Sequence, residues 1–456
     1  MRFSLLSAPL PLLLLLLGAC VPLGTPITNP DLPAGRQPGT GAATTALTQP
    51  LRYYDFIYEP RVRSVQCYAP GGGATDVLAP PIVPLSQPQP VVLEFDVLEA
   101  GQQPPRLTAR LVHCDLRWQP SQLTTMQYLD EINEFNFTNY RASVNTKVPY
   151  FHYALQLPRV KISGNYLLVV SDQRGAPLLS RRVLVYESQV VAYLRPGIVA
   201  GGLEARYAYQ QLDFGISYAA ADLVNPAQEV RVVLRQNYRW DNARYDLAPT
   251  FVRDAERRLD YQYFNYENAF PGLSEYRFFD TRSLQANGLN VGRLLRQNTP
   301  TGAELLPEAT RNGQTYTAYA DANGQRVFEN REFGNGAVNG DYAQVSFRLN
   351  APQPAPGPVY VFGALSDWQL RDELRLRYDS VGRAYVGQAL LKQGYYNYSY
   401  AVAPARGAPN PVPDEIFFEG THTETENQYD LLVYYRPPGS RADLLIAYQA
   451  LDLNRR

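Results

Sequence analysis

Tyr166-Leu167-Leu168-Val169-Val170 and Arg182-Val183-Leu184-Val185-Tyr186 enclose a turn-rich stretch from Asp172 to Pro177. Short runs of Val, Leu and Tyr on either side of such a turn spell two strands joined as a hairpin. The same pattern recurs along the chain. Val230, Val232 and Leu234 alternate with Arg231 and Arg235, which predicts a strand with one wet face. Asn323-Gly324 and Asn339-Gly340 predict tight turns. Val359 to Phe362, Tyr385 to Leu391, Tyr396 to Val402 and Leu431 to Tyr435 supply a closing set of strands. Helical periodicity is confined to Ser121 to Leu129, where Leu123, Met126 and Leu129 stand three apart. The chain holds 34 tyrosines against 2 methionines, a balance that favours strands over helices.

Two breaks divide this all-β pattern. One lies at Glu187 to Gly202, and the other is the Pro-rich stretch from Ala351 to Pro358. They predict three consecutive immunoglobulin-like β-sandwich domains over residues 51–190, 191–350 and 351–456. Upstream, Arg2 precedes an apolar run, Leu12 to Leu17, that is too short to span a bilayer. Leu17-Gly18-Ala19-Cys20 closes that run in the manner of a lipobox. The expectation is a lipoprotein signal over 1–19, an acylated Cys20 that holds the chain to a membrane, and a flexible tether over 20–50. A Pro-, Gly- and Thr-rich coil of that length spans roughly 30 Å.

A net charge of −1 gives no basic field for nucleic acid. Only Lys147, Lys161 and Lys392 are lysines, so nearly all positive charge is arginine. Cys67 and Cys114 remain after Cys20. They either pair, for roughly 4 kcal/mol on a chain-entropy argument, or stay as two buried free thiols. Catalytic patterns are missing. His113, His152 and His422 have no zinc-ligand spacing, and no nucleophile elbow, phosphate loop or dinucleotide fingerprint occurs. Asp321-Ala322-Asn323-Gly324 reads as a hairpin turn in place of a calcium loop. In His113-Cys114-Asp115, adjacent strand residues point to opposite faces, which favours a structural role. Glu419, Glu424 and Glu426 read as a polar strand edge and not as a glycosidase pair. No catalytic residue, metal, cofactor or small-molecule substrate is therefore expected. Arg117-Trp118 and Arg239-Trp240 set cations beside indoles, suited to stacking inside a domain or across an interface.

Longer motifs add to this reading. The first third carries Phe95-Asp96-x-Leu98, His113-Cys114-Asp115-x-x-Trp118-x-Pro120-Ser121 and Ser163-Gly164-Asn165-Tyr166-Leu167-Leu168. The middle carries Gln236-Asn237-x-x-Trp240-Asp241-Asn242-Ala243 and Phe270-Pro271-Gly272-x-x-Glu275-Tyr276-Arg277. The last part carries Val359-Tyr360-Val361-Phe362-Gly363, Leu391-Lys392-Gln393-Gly394-Tyr395-Tyr396 and Thr425-Glu426-Asn427-x-Tyr429. In that order they resemble the family that includes the plug protein of the type IX secretion system. The resemblance implies a non-enzymatic component at the outer membrane. Its partner would be a very large translocon β-barrel, whose periplasmic mouth it closes when no substrate passes. The first acidic residue after Cys20 is Asp31, similar to lipoproteins that face the periplasm. A second resemblance is partial. Val361 to Trp368 is similar to the opening strand of glycogen-binding modules, in which a Trp stacks on sugar, so a glycan-binding outer-membrane lipoprotein is the alternative. The second aromatic platform of those modules is missing, and Trp368 is expected to pack in a core or loop.

Overall fold

The computed structural model describes residues 50–453 apart from 72, 74, 75, 87, 89, 102, 406 and 408–411. The signal, Cys20 with its acyl group, and the tether up to residue 49 lie outside the described residues. Among the described residues no helix is long and apolar enough to cross a membrane.

The hairpin forms from strands Gly164–Asp172 and Pro177–Tyr186, and the N–H of Ala176 donates to Asp172 Oδ1 to close its turn. Leu107–Cys114 pairs on the other side of Gly164–Asp172. One face of this sheet packs on a second sheet made of Val62–Tyr68, Val92–Leu98, Tyr150–Gln156 and Asn139–Ala142. Tyr166, Leu168 and Val170 point into that core beside Phe95 and Tyr153. Leu167 and Val169 point the opposite way, because side chains alternate along a strand. There they meet Val233, Leu432, Tyr434 and Leu445.

Those partners belong to a three-stranded sheet in the order Val230–Gln236, Gln428–Tyr435, Leu444–Asp452. Its far face puts Val232, Leu234, Leu431 and Val433 against Phe214, Ile216 and Leu259. These come from a sheet of Val191–Gly197, Tyr209–Ser217, Arg258–Tyr261 and Phe251–Arg253, with Ala269–Pro271 alongside. Four layers therefore stack, and the two inner sheets are covered on both faces. That is why Tyr166 to Val170 and Leu431 to Tyr435 are unbroken apolar runs without alternation. The third body is a ten-stranded sheet running from Arg277 to Val402. Its halves face each other across a core that includes Phe279, Val345, Phe347, Val361 and Tyr400.

Several local expectations change in this setting. Tyr342–Asn350 pairs along its whole length with Ala384–Lys392, so hydrogen bonds cross the division expected at residue 350. The Pro-rich stretch is a loop within this sheet, held where the Ala355 N–H donates to the Tyr385 hydroxyl at 2.6 Å. Gln428–Tyr435 does not close the third body but returns to pair with Val230–Gln236. Arg235, expected on a wet face, is buried because its sheet is an inner layer. Its Nε donates to Asp430 Oδ1 at 3.0 Å. The helix expected at Ser121 to Leu129 shrinks to one turn, Thr125–Tyr128. Asn323 and Gly324 do form a turn, with φ of 49° and 78°. Asn339 instead ends a short helix, Gly336–Asn339.

Candidate functional site at the junction of the three sandwiches

Trp118, Trp240 and Trp368 come from the first, second and third sandwich in turn, each on the loop that leaves a buried strand. Trp118 and Trp240 meet edge to face at 5.1 Å. The Arg182 guanidinium lies 5.1 Å from each of those rings, and Arg235 stands 4.2 Å over Trp240. Arg239 stacks on Trp368 at 4.3 Å, while Arg117 stacks on Tyr245 at 4.7 Å. Each arginine that precedes a tryptophan in sequence thus stacks on an aromatic ring elsewhere. Cation–π contacts shielded from water are the stronger ones, at ~2 kcal/mol.

Ion pairs reinforce this junction. Arg239 is fully buried between Asp241, with Nη2 at 2.7 Å, and Glu415, with Nη1 at 2.7 Å. Asp367 receives Arg181 at 3.0 Å, Arg326 at 3.6 Å and also Arg371. Burial pushes the Asp367 carboxyl up, but Arg181, Arg371 and Arg326 outweigh it and hold it below the usual carboxylate range. Between these groups lies a cavity of about 330 Å³. Cys67 lines this cavity and Cys114 packs behind Trp118; both are free thiols, on separate strands. Burial pushes each thiol up to about 12, which makes them poor nucleophiles.

A second cluster ties the first sandwich to the third. Lys392 Nζ lies 2.7 Å from Asp96 Oδ2, and the Tyr342 hydroxyl donates to the same oxygen at 2.8 Å. His152 Nδ1 holds Asp96 Oδ1 at 2.8 Å. Lys392 also sits 4.4 Å over the Tyr150 ring, whose hydroxyl donates to the Gly340 carbonyl at 2.8 Å. Burial lowers the Lys392 ammonium from its ordinary value, with Asp96 opposing.

The other residues singled out in the sequence scatter. Glu419 is buried, where an exposed strand edge was expected. It accepts from Arg277 Nε at 2.9 Å, from Arg311 Nε at 2.8 Å and from the Tyr400 N–H. Glu424 and Glu426 are exposed. His113 faces the first core beside Tyr166, and burial lowers it to about 4; Cys114 faces the opposite core. His422 lies near Tyr316. Trp368 packs on Tyr276 and Phe362 as well as Arg239.

The described residues form one compact unit. A body of this kind, β-sandwich cores fixed to one another through buried charge and aromatic stacking, is an all-β protein of several packed sheets. Residues 62–187, which are the first sandwich, match the family model of the Type 9 secretion system plug protein 1st domain. That is the family the motifs resemble. The chain is also similar to a solved structure, that of a hypothetical protein from Parabacteroides merdae ATCC 43184. The two share 26% identity and a TM-score of 0.81, over 88% of this chain and 100% of that one. The likeness therefore extends well past the first sandwich. No curated protein matches the chain.

Proposed function

We propose that this chain is a non-enzymatic component of the type IX secretion system that plugs or gates the periplasmic mouth of the large outer-membrane translocon barrel. The observation that carries the reading is the match of residues 62–187 to the plug family's first domain. The build of the rest supports it. A steric plug must keep its shape while one side is pushed, and sandwiches joined by buried ion pairs resist hinge motion better than domains on a linker. In this reading Cys20 carries the lipid, the tether keeps the body near the barrel at high effective concentration, and the protein faces the periplasm. The glycan-binding alternative has less support, because Arg239 stands over the Trp368 ring that would stack on sugar.

Capture from outer membranes in mild detergent, through a C-terminal affinity tag, tests the partner. A very large barrel protein should co-elute, and a clean monomer would count against the plug. Deleting the gene should change secretion or outer-membrane permeability, and no change in either removes the gating role. Cys20→Ala should release the protein from the membrane fraction.

A further inference from the structure

We propose that the cavity at the three-sandwich junction is a binding site for a small hydroxylated organic carboxylate. Four arginines line it, Arg181, Arg182, Arg235 and Arg326, against three aspartates, Asp55, Asp241 and Asp367. Partners already occupy most of these charges. Arg235 is held by Asp430, Asp241 by Arg239, and Asp367 by Arg181, Arg326 and Arg371. Arg182 is the exception among the arginines. Its side chain makes no ion pair or hydrogen bond among the described residues, and its buried Nε has no partner. Its cation lies against the rings of Trp118 and Trp240 at 5.1 Å each and of Tyr54 at 6.0 Å, and the nearest opposite charge is Asp55, whose Oδ1 accepts from the Arg182 backbone N–H at 2.7 Å.

A guanidinium presents a planar fork that matches a carboxylate in two parallel hydrogen bonds. Contact with the Trp118 and Trp240 rings restrains the guanidinium before any ligand arrives, which lowers the ordering cost of binding. The four lining arginines outnumber the three lining aspartates, which favours an anion over a neutral sugar. Gln66 and Gln325 on the same wall give a hydroxylated body hydrogen-bond partners. At about 330 Å³ the cavity is at the small end of ligand sites and suits a small molecule. The indoles serve here as clamps for Arg182, Arg235 and Arg239 and not as open sugar platforms, so the anion provides the recognition. This site is independent of the plug reading.

Glucuronate, glucose and inorganic phosphate, titrated against the whole protein and followed by tryptophan fluorescence and thermal shift, form the test. Glucuronate should bind saturably and raise the melting temperature, and glucose should not. Arg182→Gln should weaken glucuronate at least tenfold, and Arg182→Lys, which keeps the charge without the fork, should fall between. If Arg182→Gln fails to fold, the Lys variant and the contrast between glucuronate and glucose still decide the matter. Equal binding of glucose and glucuronate, phosphate binding without glucuronate binding, undiminished binding by Arg182→Lys, or no saturation by glucuronate below about 10 mM overturns the proposal.

Discussion

The first sandwich meets the second mainly through apolar side chains, with Arg117 and Arg182 at its edge, and meets the third mainly through charge. On one side Leu167, Val169 and Leu184 lie on Val233, Leu432 and Leu445. On the other, Asp96 reaches Lys392 and Tyr342, Arg181 reaches Asp367, and the N–H groups of Lys147 and Val148 donate to Asp341 at 2.9 and 3.1 Å. The two contacts do different work. Apolar burial contributes in proportion to area and tolerates sliding. A buried ion pair gives little net stability, because desolvation offsets the Coulomb gain, but any misalignment leaves a bare charge in a dry place. The apolar face therefore supplies adhesion and the charged face supplies a fixed angle. Both are needed if the whole body is to act as a single obstacle.

The largest effect should come from unpairing the charged face. Asp96→Ala leaves the Lys392 ammonium buried without its carboxylate and removes the acceptor of Tyr342 and His152. The expected loss is about 3–5 kcal/mol in urea unfolding. Adding Lys392→Met should return most of it, since the uncompensated charge is then gone. A loss of less than about 1 kcal/mol for Asp96→Ala alone would mean that the pair does not fix this contact. The apolar face should respond differently. Leu432→Ala removes a fully buried side chain and should cost about 2–5 kcal/mol. No second substitution at a charged position should rescue it. If Lys392→Met rescued Leu432→Ala, the two contacts would be one coupled network and the distinction would fail.

The same division decided what could be read from sequence. The hairpin around Asp172 to Pro177 and the strands at Val359 and Ala384 announce themselves through apolar runs and turn residues, and they form where those signals lie. The unbroken apolar runs Tyr166 to Val170 and Leu431 to Tyr435 carry the mark of strands covered on both faces, but nothing in them names the sheets that cover them. The charged junction was not legible. Asp96 and Lys392 are 296 residues apart, and nothing local marks a long-range partner. One weak signal was there: Lys392 is one of only three lysines and follows the apolar pair Leu390-Leu391, where a charge needs a partner. Arg235 misled for the same reason. Alternation with valine describes a wet face only if the sheet is an outer one; here the sheet carrying Leu167 and Val169 covers that face, and the carboxylate that pairs with Arg235, Asp430, lies 195 residues downstream.

The junction of the second and third bodies adds a pH axis to the comparison. Glu275 is buried, accepts from the Tyr316 hydroxyl and from the Glu426 N–H at 3.0 Å, and makes no ion pair with an arginine among the described residues. Burial pushes its carboxyl up to about 7, with the Asp321 charge adding to the shift. Below about pH 4.5 the group is protonated in folded and unfolded chains alike and costs nothing. As pH rises toward about 7 the unfolded chain ionises first, so stability falls across that window and then levels. Glu275→Gln should remove the fall. Its stability relative to the parent should grow between pH 4.5 and 7, by at most about 3 kcal/mol. A parallel pair of stability curves would show that Glu275 is ionised in the folded chain. Glu419, also buried, should show no such rise, because Arg277 and Arg311 outweigh its burial and hold it below its ordinary value.

The smallest effect tests whether burial, and not charge pairing as such, separates these contacts. Arg61 lies 2.6 Å from Glu99 and 3.1 Å from Glu59, geometry as good as that of Lys392 and Asp96, yet its side chain is 52% exposed. Water screens the pair, and holding three long side chains in one arrangement costs rotamer freedom that offsets the attraction. Arg61→Ala should therefore change stability by less than about 1 kcal/mol, and added salt should reduce even that. A loss comparable to that of Asp96→Ala would place the organising charges of this protein on its surface. The division between an adhesive apolar face and an aligning buried one would then have to be abandoned.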